Sequence, residues 1–380
     1  MRALLLALAL ALAVCCSLAA CGSEAPEGTA DRFEDVAWRP LPTGEVQRIA
    51  FGSCAHQWAP QPIWATVVAT KPDLYLSLGD AIYGDWDGKQ VVPFSEASMT
   101  AGWRMLADHP DFTQLRAAVP VMATWDNHDY GKHDGGAEFE HRALARRMFL
   151  DFFGEPLDSP RRRRPGVHDA RIFGPEGRRV QVLLLDTRSF KGPTRRDPRT
   201  KAEKQAAGLS GSMGNYVPNM DASTTLLGEA QWSWFEQQLA QPADLRLICS
   251  STQVIPDQKG MDEWGNYPRD RMRLFKLLES AEVRGVLLLS GNVHFGELSG
   301  LKRDAYPLLE FTASGLTHIN GDYAQFHNPY RMAGPVGKVH FGLVEVDWAR
   351  EGGPRVRLRA IGEAGETLLT HEVPLRTLGG

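Results

Sequence analysis

Short apolar runs alternate along the chain with amphipathic stretches of helical spacing. Arg48–Cys54 (RIAFGSC), Asp73–Asp80 (DLYLSLGD), Pro120–Asp126 (PVMATWD), Val180–Thr187 (VQVLLLDT), Leu245–Val254 (LRLICSSTQV) and Val283–His294 (VRGVLLLSGNVH) are rich in aliphatic and β-branched residues. Their length and composition predict buried strands. Between them Ile63–Thr70, Ser95–Leu106, Glu138–Phe153, Glu229–Gln238 and Arg271–Ala281 repeat their apolar residues with helical spacing. Strand alternating with helix predicts an α/β fold. Four tail segments, Pro307–Ala313, Val339–Val346, Arg355–Ile361 and Glu366–Val373, alternate apolar with polar residues, as half-exposed antiparallel strands do. The picture is a single catalytic domain, a two-sheet sandwich flanked by helices, with function where loops leave the C-terminal ends of strands.

Composition narrows this further. With 43% of 380 residues hydrophobic, the chain buries enough apolar surface to offset its entropy, which excludes a disordered or linker protein. Lys and Arg number 42 against 46 Asp and Glu, for a formal charge of -4, so no stable nucleic-acid partner is expected. Residues 1–20 carry one Arg, a continuous apolar run and then small residues, the layout of a signal peptide. A permanent span would need other flanks. Leu18-Ala19-Ala20-Cys21 also resembles a bacterial lipobox, in which Cys21 is lipidated. The expected organisation is a lipoprotein leader over 1–20, a tether over 21–45, the domain over 46–348 and further strands over 349–380 completing it. The lipid anchor would hold the protein to a membrane on its periplasmic or cell-surface face. Assigning Cys15, Cys16 and Cys21 to the leader leaves Cys54 and Cys249, which an oxidising compartment opens to disulfide pairing.

Residues with ligand chemistry gather where the buried strands end. Gly79-Asp80-Ala81-Ile82-Tyr83 sets a carboxylate and a phenol three residues apart, although an Asp there equally caps a turn. Trp125-Asp126-Asn127-His128-Asp129-Tyr130-Gly131 surrounds a His with oxygen donors. Such oxygens suit hard cations, and His both ligates metals and carries protons near neutral pH; the bland alternative is a polar turn. Ser290-Gly291-Asn292-Val293-His294 closes the VLLLS run, and in an extended segment Asn292 and His294 would face the same side. Gln253 is an uninformative amide by itself. No GxxxxGK[ST] loop or GxSxG elbow occurs, which argues against a nucleotide-driven enzyme and an α/β-hydrolase. Arg161–Arg164 reads as a solvated loop, or as an attraction for anionic lipid or a polyphosphorylated substrate. Trp58, Trp86 and Trp125 read equally as cleft lining or as core.

Together, the order Cys54, Asp80/Tyr83, Asn127/His128, Gln253, Asn292/His294 resembles the motif ladder of the metallophosphoesterases. Within that superfamily FGSC, GDAIY, WDNHDYG and SGNVHFGE look like the alkaline phosphatase D (PhoD-like) family, and Trp264-Gly265-Asn266-Tyr267-Pro268…Arg271 is similar to a further stretch of it. The resemblance spans about residues 46–348 and implies an αββα sandwich that hydrolyses phosphate esters, a metal-bound hydroxide attacking phosphorus. Carried over residue by residue, it implies ferric iron on Cys54, Asp80, Tyr83 and His294. Asp80 would bridge to a second divalent cation, often calcium, with Asn127, Asn292 and Gln253 as its other ligands. His128 falls where the superfamily contacts the phosphoryl group or protonates the leaving oxygen, so Asp80, Asn127 and His128 form the implied catalytic set. A metal-bound Cys54 would be reduced and unavailable to Cys249. The chain departs from the family at Gly291-Asn292-Val293-His294, where Gly-Asp-Val-His is frequent. Asn keeps a carbonyl oxygen but removes a negative charge, which predicts weaker hold on the second cation.

Three alternatives share much of this pattern. A phosphodiesterase or phospholipase on lipid or polymer substrates would use the same site. A purple-type acid phosphatase would need more His ligands than this chain supplies. A catalytically weak surface-binding lipoprotein would keep only the scaffold.

Overall fold

A computed structural model describes residues 33–280 and 282–379; the leader and Cys21 lie outside them. The strands run β1 (Arg48–Gly52), β2 (Leu74–Leu78), β3 (Val121–Thr124), β4 (Asp169–Phe173) and β5 (Val180–Leu184). They continue as β6 (Arg195–Arg196), β7 (Tyr216–Val217), β8 (Leu245–Ser250), β9 (Val286–Ser290) and β10 (Gly296–Leu301). The last are β11 (Leu308–Ala313), β12 (Arg331–Val336), β13 (His340–Asp347), β14 (Arg355–Gly362) and β15 (Thr367–Pro374). One six-stranded sheet has the order β15-β14-β13-β1-β2-β3 and one seven-stranded sheet the order β12-β10-β11-β9-β8-β5-β4, with β6 and β7 forming a small separate arm.

Each large sheet has a parallel centre: β1, β2 and β3 in the first, and β5, β8, β9 and β11 in the second. The two pack face to face through Ile49, Phe51, Leu76, Leu247, Leu289 and Phe311, among others, in one apolar core. Because side chains alternate across a strand, the neighbouring positions feed two outer cores. On the first sheet, Tyr75 and Ala50 pack with α1 (Ile63–Ala69), α2 (Glu96–Ala107) and α3 (Pro110–Ala118). After the short α4 (Asn127–Tyr130), α5 (Arg142–Phe152) joins that layer, followed by α6 (Pro160–Arg163) and α7 (Lys201–Ala206). On the second sheet, Ile248 and Leu288 pack with α8 (Gly228–Leu239) and α9 (Pro268–Leu278), while α10 (Gly321–Gln325) lies farther along the chain. This is a two-sheet sandwich flanked by helices.

Four expectations need correction. Val283–His294 is not one extended strand: β9 ends at Ser290, and Asn292 and His294 take left-handed φ values of 71° and 61°. Pro307–Ala313 pairs antiparallel with β10 as expected, but it is not half-exposed: β11 is wholly buried and also runs parallel to β9. Its polar positions mislead because they are covered; Glu310 accepts from the amides of Val254 and Ile255. Arg161–Arg164 is not a solvated loop. Arg161 is buried and donates to the Ala123 carbonyl at 2.8 Å, and Arg162 pairs with Asp151 at 2.6 Å. The tether, finally, does not reach residue 45. Phe33 packs edge-on to Phe152 at 5.5 Å, and the Trp38 indole donates to the Phe152 carbonyl at 2.7 Å. These few apolar residues in a polar stretch have no period to betray them. Among the described residues no helix is long and apolar enough to cross a membrane.

Candidate metal centre

The parallel strands of both sheets end on one edge of the sandwich, and their loops meet there. β1 leads to Cys54, β2 to Asp80, β3 to Asn127 and His128, and β9 to Asn292 and His294. The sheets touch through a Ser53–Ser314 bridge, and the amides of Cys54 and Ala55 donate to the carbonyls of Gly79 and Asp80 at 3.3 and 2.9 Å. Two glycines make this crowding possible. A Cβ on Gly79, whose φ is +99°, would lie 2.5 Å from the Asp126 Cβ, and one on Gly291 would lie 2.3 Å from the Ser53 Oγ. Either substitution would force the loops apart.

Ligand atoms of Cys54, Asp80 and His294 all lie within 4.8 Å of one another. The Cys54 Sγ sits 3.5 Å from Asp80 Oδ2 and 3.2 Å from Ser314 Oγ, and the same hydroxyl accepts from the His294 amide at 2.9 Å. Cys54, Asp80, Asn292 and His294 all have positive φ, a conformation that costs non-glycine residues of order 1–3 kcal/mol each. Backbone strain concentrated at these four positions buys the convergence. Cys249 is a free thiol facing the inter-sheet core, and no disulfide joins it to Cys54.

The other expected residues divide. Burial lifts the Tyr83 phenol well above its usual range, with Cys54 and Asp80 adding to it; its hydroxyl lies 2.9 Å from His318 Nδ1. Asn127 opens α4 with its Oδ1 buried and unpartnered. Asn292 donates through Nδ2 to the Asp262 carbonyl at 3.0 Å, which fixes the orientation of its amide. Gln253 is not drawn to the cluster by any contact. Its Nε2 donates to Glu297 Oε1 and Thr312 Oγ1, both at 2.9 Å. Glu297 and Thr312 are register partners on the helix-covered face of the second sheet, away from the inter-sheet core. The Gln253 Oε1 is buried without a partner.

His128 is held through Nδ1 by the buried Asp85 at 2.5 Å, and its backbone amide donates to Asp80 Oδ1 at 3.3 Å. Burial alone would lower its imidazole, but Asp80 and Asp85 outweigh that and raise it to about 9. Burial lifts the Asp80 carboxyl to about 7, with His128 opposing, and lifts the Cys54 thiol far up, with Asp80 adding to it. Burial pushes the His294 imidazole down, and its Nδ1 is buried without a partner. A thiol, a carboxylate and an imidazole thus converge in a place too poor in positive charge to ionise its acids. A cation would supply the missing charge, and thiolate with imidazole would suit a transition metal. The amide and carboxylate oxygens alongside suit a harder ion. The residues fit the implied metals.

Several supporting residues lie outside the implied ligand and catalytic sets. Asp129 ties two motif loops together by accepting from the amides of Ile82 and Asp126, both at 3.0 Å. Arg188, fully buried after β5, pairs with both Asp126 and Asp262, and Lys191 reaches Asp262 at 2.8 Å. This cage grips the residue before Asn127 and the carbonyl that orients Asn292. A charged residue directly after an apolar strand (LLLDTR) was the available signal. His56 and His318 were missed as well, although His56 lies two residues beyond Cys54.

Comparison with known proteins bears on the family and the fold. A family model described as PhoD-like phosphatase matches residues 49–338. Alkaline phosphatase D of Bacillus subtilis (strain 168) is 23% identical over 302 residues, covering 70% of this chain and 49% of that protein. The chain therefore spans about half the length of the curated relative it matches. Among solved structures, one described as the structure of PhoD superposes with a TM-score of 0.60 at 17% identity, over 87% of this chain and 73% of the other. GAP50, described as the anchor in the inner membrane complex of Plasmodium, gives a TM-score of 0.50 at 13% identity over 87% and 89%. At these identities the structural likenesses speak for the fold.

Proposed function

Because the chain belongs to the PhoD-like phosphatase family, we propose that it hydrolyses phosphate esters at the edge where Cys54, Asp80 and His294 meet. The convergence of those three ligand atoms within 4.8 Å is the observation that carries the reading. Cys54, Asp80, Tyr83 and His294 would hold ferric iron, and Asp80 with Asn127 and Asn292 a second cation, calcium by the hardness of its oxygens. Such a metal pair supplies Lewis acidity toward the phosphoryl oxygens and a water nucleophile near neutral pH.

The chain's own groups do the rest. The Asn127 side chain orients the phosphoryl group. His128, clamped through Nδ1 by Asp85, presents Nε2 to the leaving oxygen and donates the proton that oxygen needs. The Arg188 cage keeps the loops of Asn127 and Asn292 in register while substrate exchanges. The apolar leader and the lipobox-like Leu18–Cys21 support an extracytoplasmic site of action, the protein tethered through a lipid on Cys21.

The test is turnover of 4-nitrophenyl phosphate and its bis-ester by purified protein supplied with iron and calcium. Hydrolysis of either, lost in His128→Ala with metal content unchanged, is expected. Preference for the bis-ester assigns a phosphodiesterase. Failure to cleave either contradicts the proposal and favours a binding scaffold.

A further inference from the structure

A row of rings leads from the buried cluster to the surface. The His294 imidazole lies 3.6 Å from that of His318, centroid to centroid, and His318 lies 4.2 Å from His56. His56 is stacked on Trp58 at 4.8 Å with an interplanar angle of 14°. Tyr83 runs alongside, 4.6 Å from His56 and 6.0 Å from Trp58. The inner end of the row is a candidate ligand. The outer end is an indole 43% exposed, an unusual place for so large an apolar side chain.

The loop that carries Trp58 is tied down. The His56 amide donates to Thr317 Oγ1 at 2.8 Å, and Gln57 Oε1 accepts from the Tyr83 amide at 2.9 Å. Gln61 donates to the His56 carbonyl at 2.9 Å and accepts from the Trp64 indole at 2.5 Å. The indole is therefore held beside the mouth of the site before any substrate arrives, so little entropy is lost when something lies on it.

We infer that Trp58 is a stacking platform for an aromatic group of the ester, a nucleobase or an aryl alcohol, while the phosphoryl group sits at Cys54, Asp80 and His294. This rests on the phosphoesterase reading and narrows its substrate class. A flat π face is indifferent to hydrogen-bond pattern, so the platform selects aromatic over aliphatic organic groups without choosing among bases. One face of the indole is taken by His56. The exposed remainder lies within reach of Tyr83, at the centre itself.

The experiment compares wild type, Trp58→Ala and Trp58→Phe on adenosine 5'-monophosphate, 4-nitrophenyl phosphate and glycerol 3-phosphate, following released phosphate. Saturation-transfer NMR with adenosine alone gives a readout that needs no turnover. The ratio of kcat/KM for each aromatic ester to that for glycerol 3-phosphate should fall about tenfold in Trp58→Ala and be largely restored in Trp58→Phe, with adenosine saturation lost in the Ala variant. An unchanged ratio together with unchanged adenosine saturation overturns the platform. If wild type cleaves none of the three esters, the phosphoesterase reading fails, and the adenosine signal alone decides whether Trp58 binds aromatic groups.

Discussion

Two buried polar clusters, one on the second sheet and one where loops of both sheets meet, differ in how fully their atoms are paired. On the helix-covered face, Glu297 accepts from Gln253, Asn328 and Arg331, and Glu310 from the amides of Val254 and Ile255, so every carboxylate oxygen has a donor. At the sandwich edge, Asn127 Oδ1, Asp126 Oδ2 and His294 Nδ1 are buried with none. The first cluster is closed at its carboxylates, with the Gln253 Oε1 left open, and is structural. The second is unsatisfied among its own residues, and buried unpaired polar groups cost about 1–3 kcal/mol each, a cost that a bound cation would relieve. Burial of polar residues alone would not have separated the two; pairing does.

The contrast predicts opposite consequences of removing a carboxylate. Asp80→Ala should lower kcat/KM by at least ~10³-fold while leaving the metal-free melting temperature unchanged or higher. A metal-free variant that melts well below wild type would show Asp80 to be structural. Glu297→Ala should do the reverse, leaving the buried amides of Gln253 and Asn328 and the half-buried Arg331 without their shared acceptor and costing about 3–5 kcal/mol in a urea titration, with activity per folded molecule retained. A stable Glu297→Ala protein would show the closed cluster to be dispensable.

Asn292→Asp sharpens the open side. A carboxylate at residue 292 should tighten calcium about tenfold by calorimetry, roughly 1.4 kcal/mol. Unchanged affinity would remove residue 292 from the second site. The smallest effect lies outside both clusters. Burial pushes His340 down to about 4 and His168 down to about 3, with Arg164 adding to the latter. Folded values below the ordinary 6.5 mean that the unfolded chain takes up protons first. The contribution is therefore present above pH 6.5 and is lost as pH falls toward the folded values, by about 1 kcal/mol per histidine at pH 5.5. A His340→Gln protein whose urea midpoint falls between pH 7 and 5.5 by as much as that of wild type would contradict it.

The strands feeding the site were legible because parallel strands buried on both faces must be continuous apolar runs, and each ended in a residue with donor chemistry. The turn geometry was not. Asn292 and His294 converge through left-handed backbone, whereas extended spacing suggested another route to the same result. β10 and β12 stayed hidden because Gly296, Gly300, Gly334 and Pro335 break any strand pattern. Arg188 and Asp262 were invisible as partners because a long-range ion pair leaves no local trace. Gln253 was singled out for its place after β8, yet its amide nitrogen is engaged with Glu297 and Thr312.

The most direct test of the open cluster is titration of the metal-free protein with ferric iron, read by metal analysis and by visible absorption. A single tightly held iron is predicted, with a visible band from thiolate and phenolate donors that changes in Cys54→Ser and in Tyr83→Phe, and with iron lost in His294→Ala. No binding, or a spectrum and stoichiometry unmoved by all three substitutions, would contradict the account.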